Sequence, residues 1–293
     1  MVAACTGGSN RAVKLPPTGP QPTRDHLPKP RHQRELAGVR RDVPASGSSA
    51  EGTGDPVRPL SSAVTQRLLL FDLDGTLLTT SRAGMTAMAI AGQQLFGDGF
   101  HFEGVHFGGA LDPHLFAAAA ERAGIEASDA NHRAFITAYE QALPATLLDL
   151  ADRVQVLPGV LDLLGRLRNI DHATLGLLTG NYSRTGPLKL EAAGIDLQWF
   201  TIRAWGEEAP TRPELVPVAR QRYRHATGQP IRPEHITVIG DTPRDVACAK
   251  AHGCRAVAVA TGPFERESLE QTNADVVVND LTETAAYWPV LDI

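Results

Sequence analysis

The sequence lacks the marks of a membrane-spanning or exported protein. No stretch approaches the roughly 18 consecutive apolar residues of a membrane helix. Nor does the N-terminus carry the apolar run of about 7–15 residues that a secretory signal needs. Cysteine is scarce: Cys5, Cys248 and Cys254 make no disulfide framework and match no zinc spacing. These absences lead us to expect a reducing, cytoplasmic setting. Asn181-Tyr182-Ser183 fits a glycosylation sequon, which we read as chance in a chain without an export signal. Aromatic residues are only 5% of the chain, so a mostly aliphatic core is expected. Positive charge is not in excess, since the net charge is −5, which argues against a nucleic-acid partner. No internal repeat is visible.

What is present divides at one seam. Residues 1–65 hold 9 of the 21 prolines, none of the aromatics and a charge of +4. The remaining 228 residues carry −9. Segments such as Pro16-Pro17-Thr18-Gly19-Pro20 and Ser46-Gly47-Ser48-Ser49 bury too little apolar surface to offset chain entropy. We therefore expect a disordered, dispensable leader, a solvated linker or mis-assigned start rather than a basic tail. A non-Met start near Val57 or Val64 would give a compact protein, because the next methionine is Met85.

From residue 67 short apolar runs alternate with helical stretches. Strands are predicted at Arg67–Phe71, Thr174–Leu178, Trp199–Arg203, His235–Ile239, Arg255–Val259 and Asp275–Val278. Short Leu/Val/Ile runs of this kind suit parallel strands buried on both faces. The expected fold class is α/β, a Rossmann-like parallel sheet with helices on both faces. Its core would comprise residues 66–82 and 156–293. Residues 83–155 read as an inserted all-helical cap. There Phe135, Tyr139, Leu143 and Leu147 recur every four residues, with Pro144 a candidate kink or break. Met85, Met88, Leu95 and Phe96 lie roughly on one face of an earlier helix.

The most informative segment is Leu68-Leu69-Leu70-Phe71-Asp72-Leu73-Asp74-Gly75-Thr76-Leu77. An apolar strand runs straight into two aspartates. Ligands of open parallel sheets bind beyond the carboxyl ends of strands. Positions i and i+2 point the same way off a strand, so Asp72 and Asp74 can share one site. Asp-x-Asp-Gly-Thr would arise by chance in only ~0.002 of chains this long. This motif resembles the first motif of the haloacid-dehalogenase-like superfamily, whose members are mostly phosphatases. Leu177-Leu178-Thr179-Gly180-Asn181 is similar to its second motif, and Val238-Ile239-Gly240-Asp241-Thr242-Pro243-Arg244-Asp245 to its fourth. The resemblance spans about residues 67–280 and is nearest to helical-cap, phosphoglycolate-phosphatase-like members.

The resemblance implies a Mg²⁺-dependent phosphohydrolase acting on a small phosphate monoester. Asp72 would attack phosphorus and form an aspartyl phosphate. Asp74 would protonate the leaving oxygen, then deprotonate water. Asp72, the backbone carbonyl of Asp74, and Asp241 would hold the metal. Asp245 would bind it directly or through water. Thr179 and the amides of Gly180 and Asn181 would hold the phosphoryl oxygens. The third-motif cation is either Lys189, which we prefer, or Arg212 in Arg212-Pro213. Phe107-Gly108-Gly109-Ala110-Leu111-Asp112 resembles the substrate-facing turn of the cap, which makes Gly109 and Asp112 substrate-binding candidates. Asp112-Pro113 equally suits the start of a helix. Rival readings are a phosphomutase on a sugar phosphate and a non-catalytic binding module. The particular ester and the oligomeric state are not legible.

Overall fold

A computed structural model describes residues 65–105 and 107–293. The expected leader, all but Thr65, and the alternative starts at Val57 and Val64 lie outside the described residues. The chain runs through β1 (Arg67–Phe71), β2 (Leu78–Thr79), α1 (Ala83–Phe96), α2 (Asp112–Arg122), α3 (Asp129–Asp149), β3 (Gln155–Val156) and α4 (Val160–Leu167). It continues with β4 (Ala173–Leu178), α5 (Gly186–Ala192), β5 (Ile202–Ala204), α6 (Leu215–Thr227), β6 (Ile236–Gly240) and α7 (Pro243–Lys250). It ends with β7 (Arg255–Val259), α8 (Arg266–Glu270), β8 (Val276–Val278) and α9 (Thr284–Leu291). Among the described residues no helix is long and apolar enough to cross a membrane.

Six strands form one parallel sheet in the order β5-β4-β1-β6-β7-β8. This is the α/β architecture expected from the alternation of strands and helices. Strand β1 lies at its centre, and every one of its residues is buried. The two-residue period of a strand divides its side chains between faces. Leu69 and Phe71 join Val160, Leu163, Leu164 and Leu167 of α4 on one face. Leu68 and Leu70 join Leu215, Val216 and Ala219 of α6 and Val246 of α7 on the other. Each such leucine contributes about 1.5–3 kcal/mol when fully buried.

Helices α1, α2 and α3 pack around a third core of different character. Phe100, Phe116, Phe135 and Tyr139 meet there, with Phe116 and Phe135 ring centroids 4.9 Å apart. Half of the 16 aromatics gather here, so the aliphatic expectation fails for these helices, while the sheet cores are mostly aliphatic with Phe71, Phe200, Trp205, Tyr223 and Tyr287 among them. Pro144 lies inside α3 without ending it. Leu143 and Leu147 bury on either side of it in the same core, and packing outweighs the one lost backbone bond. In α1 the buried stripe is Ala83, Ala87, Met88 and Ala91, whereas Leu95 is 42% exposed. Small residues let α1 approach its neighbours closely, so Leu95 falls off the predicted face.

Two further differences are local. The strand expected over Trp199–Arg203 is β5 at Ile202–Ala204, and Trp199 closes a 3₁₀ turn instead. Asp196 accepts a bond from the Gln198 amide in that turn, and Arg168 stacks on the Trp199 ring at 4.5 Å. Strands β2 and β3 pair antiparallel where the chain leaves and re-enters the sheet layer. Two residues each are too few for a periodic signal.

Candidate active site

Strand β1 ends at Phe71, and the chain turns immediately. The Asp72 amide still donates to the Ile239 carbonyl at 3.0 Å, which fixes Asp72 at the mouth of the sheet. Gly75 then adopts φ +82°, a left-handed conformation that glycine enters without strain. A Cβ there would also stand 2.3 Å from Asp241 Oδ2, so the turn leaves no room for a side chain. Asp241 follows β6, the neighbour of β1, and its Oδ1 accepts from the Thr76 hydroxyl at 3.2 Å.

Helix α7 opens with a capping box. The Thr242 hydroxyl accepts from the Asp245 amide, and Asp245 Oδ2 accepts from the Thr242 amide at 3.0 Å. Asp245 Oδ1 meets the Arg212 guanidinium at 2.5 Å. Both oxygens of Asp245 are therefore engaged by protein donors. Arg212 also stands 3.1 Å from Asp72 Oδ2 and donates to the Gly109 carbonyl at 3.2 Å.

Strand β4 delivers Thr179, Gly180 and Asn181. The Asn181 side-chain amide donates to Asp74 Oδ2 and to the Thr179 hydroxyl, each at 2.9 Å. Lys189, from α5, donates to the same Asp74 oxygen at 2.6 Å. The turn before α2 rests directly on Gly180. The Asp112 amide donates to the Gly180 carbonyl at 2.8 Å, and Asp112 Oδ2 accepts from the Tyr182 amide at 3.1 Å. A Cβ on Gly180 would lie 2.0 Å from the Ala110 carbonyl oxygen.

The structure thus gathers Asp72, Asp74, Gly109, Asp112, Thr179, Gly180, Asn181, Lys189, Arg212 and Asp241 around one cavity of about 720 Å³. Asp245 lies just behind, bonded to Arg212. Lys189 and Arg212 both reach the site and divide it: Lys189 pairs with Asp74, Arg212 with Asp72 and Asp245. The Asn181 side-chain bridge was not visible in any sequence pattern. Tyr139 and Arg82 also line the cavity. Tyr139 was hidden in the every-fourth apolar pattern of α3.

The electrostatics suit a cation at this site. Burial pushes Asp72 up to about 6, and the neighbouring Asp245 charge adds to this against the pull of Arg212. Burial, with Asp245 and Asp72 close by, raises Asp241 well above the usual carboxylate range. Carboxylate oxygens of Asp72, Asp241 and Asp245 lie within 4.8 Å of one another, and Asp72 Oδ1 is buried with no hydrogen-bond partner. A hard, oxygen-binding cation fits that donor set. Lys189 and Arg212 hold their charges more firmly than usual. Burial opposes those charges, but the surrounding acids outweigh it. Burial pushes Asp112 up to about 7.

Known proteins resemble this chain over most of its length. The family described as haloacid dehalogenase-like hydrolase matches residues 69–250, more than half of the chain. A phosphoglycolate phosphatase of Chromobacterium violaceum is 28% identical over 223 residues, covering 74% of this chain and 94% of that protein. CbbY from Rhodobacter sphaeroides, solved in complex with phosphate, aligns with a TM-score of 0.59 at 18% identity, covering 78% of this chain and 100% of that one. A hydrolase from Pseudomonas syringae aligns with a TM-score of 0.54 at 21% identity, covering 75% and 96%. These two structures bear on the fold alone.

Proposed function

Because the chain belongs to the haloacid dehalogenase-like hydrolase family, we propose that it is a Mg²⁺-dependent phosphatase of small phosphate monoesters. The observation that carries the reading is the convergence of Asp72, Asp241 and Asp245 within 4.8 Å beside Asp74. The 28% identical phosphoglycolate phosphatase supports a phosphoglycolate-like substrate. We place the enzyme in the cytoplasm, with no nucleic-acid or membrane partner.

Asp72 is the nucleophile. Its carboxylate attacks phosphorus, the ester oxygen departs, and the second displacement frees phosphate from the aspartyl phosphate. Asp74 gives its proton to the departing oxygen and then takes one from water. Lys189 and the Asn181 amide aim Asp74 by binding its Oδ2 at 2.6 and 2.9 Å. Thr179, with the Gly180 and Asn181 amides, holds phosphoryl oxygens. Asp72, Asp241 and the Asp74 carbonyl would hold Mg²⁺, which when bound offsets the negative charge of the phosphoryl group beside the nucleophile. Asp245 anchors Arg212 through Oδ1 and would bind Mg²⁺ directly or through water with the remaining lone pairs of oxygens that also accept from Arg212 and Thr242. Arg212 limits the repulsion between Asp72 and Asp245. The helices over residues 83–155 act as a cap whose turn at Gly109 and Asp112 meets the leaving group and excludes water.

The test is Asp72→Asn, assayed with Mg²⁺ and p-nitrophenyl phosphate. Turnover should be abolished while the far-ultraviolet circular dichroism is kept. Full activity of the variant would overturn the mechanism. Turnover that instead requires a sugar bisphosphate activator would identify a phosphomutase.

A further inference from the structure

We propose that the first turn of α1, with Arg82 and Tyr139, is an anion subsite that recognises a second negative group on the leaving group of the substrate. The proposal deepens the phosphatase reading and rests on it. Helix α1 starts without a side-chain cap and without an acid in its first turn. The amides of Gly84 and Met85 find no acceptor among the described residues. Uncapped amides and the positive end of a helix dipole favour an anion. Gly84 and Met85 line the same cavity as Asp72 and Asp74.

Tyr139 supplies the second, independent observation. Its side chain is fully buried, lines that cavity, and its hydroxyl has no hydrogen-bond partner. Buried hydroxyls are ordinarily paired, and this one, with the equally unpartnered Thr185 hydroxyl beside it, is free to donate to a group entering the cavity. It stands 3.1 Å from where a Cβ on Gly84 would be, which puts it at the opening turn of α1. Burial raises its pKa, so the hydroxyl keeps its proton and donates.

Arg82 completes the set. Ser81 and Arg82 adopt φ +47° and +71°, consecutive left-handed conformations in residues that disfavour them. Strain of this kind persists where function holds it. Lys189 and Arg212 are tied to the catalytic carboxylates, whereas Arg82 makes no ion pair among the described residues. Lys189 Nζ links subsite and reaction centre: it is 3.0 Å from the same Gly84 Cβ position and 2.6 Å from Asp74. Asp74 and Asp112 are the acids facing Tyr139, and Lys189 faces both. The second anion therefore sits only a few atoms from the ester oxygen that Asp74 protonates. A short carboxylate ester or a second phosphate has that chemistry.

The experiment compares phosphoglycolate, pyrophosphate and a sugar bisphosphate with the neutral 2-hydroxyethyl phosphate. Wild-type kcat/KM should favour at least one anionic substrate tenfold or more, and which one identifies the source of the anion. Arg82→Gln and Tyr139→Phe should each lower that preference about tenfold or more, mainly through KM. Arg82→Lys should restore part of it. Arg82→Gly should lower the preference while raising Tm, because glycine relieves the left-handed strain; a merely structural Arg82 would not separate the two readouts. An unchanged preference in both Arg82→Gln and Tyr139→Phe overturns the subsite and leaves the phosphatase intact. Wild type that prefers the neutral ester also overturns it. Hydrolysis of none of these esters overturns the phosphatase reading and the subsite together.

Discussion

The sheet and the three helices over residues 83–149 hold the cavity between them with opposite materials. The sheet is mainly aliphatic, built largely from leucine, valine and isoleucine with Phe71 packed on Phe200, and sends carboxylates out of its strand ends. The helices are aromatic, built around Phe100, Phe116, Phe135 and Tyr139, and offer the cavity donors rather than carboxylates, Asp112 apart. The proposed chemistry would need a fixed set of carboxylates to hold a metal, and strand ends can supply one. Recognition needs shape and unspent hydrogen-bond donors, which a separately packed helical layer can vary without disturbing the sheet.

The largest effect that would sharpen this contrast is Phe116→Ala. Phe116 is buried against Phe96, Phe100, Phe135 and the stacked ring of His132. Truncation should destabilise by about 3–5 kcal/mol. Hydrogen exchange should rise first in α1–α3 while β1, β4 and β6 stay protected. Simultaneous loss of protection in the sheet would erase the distinction between the two regions.

Gly180→Ala probes the seam between them. A Cβ would press to 2.0 Å on the Ala110 carbonyl, and backbone yields little. A loss of about 1–3 kcal/mol is expected by urea unfolding, together with a fall in kcat/KM as the turn at Gly109–Asp112 shifts. Unaltered kinetics would show that this turn does not register the leaving group.

A third probe is the pH dependence carried by Asp112. Burial raises its folded pKa to about 7, so the folded state binds a proton that the unfolded chain has already lost above about pH 4. Stability from this group is present at low pH and falls as pH rises toward 7. Asp112→Asn should flatten that part of the Tm-against-pH curve. A slope unchanged from wild type would mean that another group carries it.

The two regions also differed in how legible they were. Asp72, Asp74 and Asp241 follow strands that are mostly apolar, so their placement was readable from pattern and motif together. The parallel α/β class was readable from the alternation of strands and helices, but the strand order was not. Partnerships were not readable: nothing in the spacing of Lys189 and Arg212 says that one binds Asp74 and the other Asp72 and Asp245. Tyr139 reads as one more core residue because its ring does pack in the core, and only its hydroxyl reaches the cavity. Leu95 and Trp199 misled because apolar side chains also cover surfaces and turns. Strands β2 and β3 are too short to carry a period.

The central claim is that Asp72 becomes covalently phosphorylated during turnover. Enzyme turning over a radiolabelled phosphate monoester with Mg²⁺, quenched in acid and digested, should carry label on the peptide containing Asp72 and on no other. Steady turnover with no label on that peptide, accompanied by an active Asp72→Asn variant, would contradict the account.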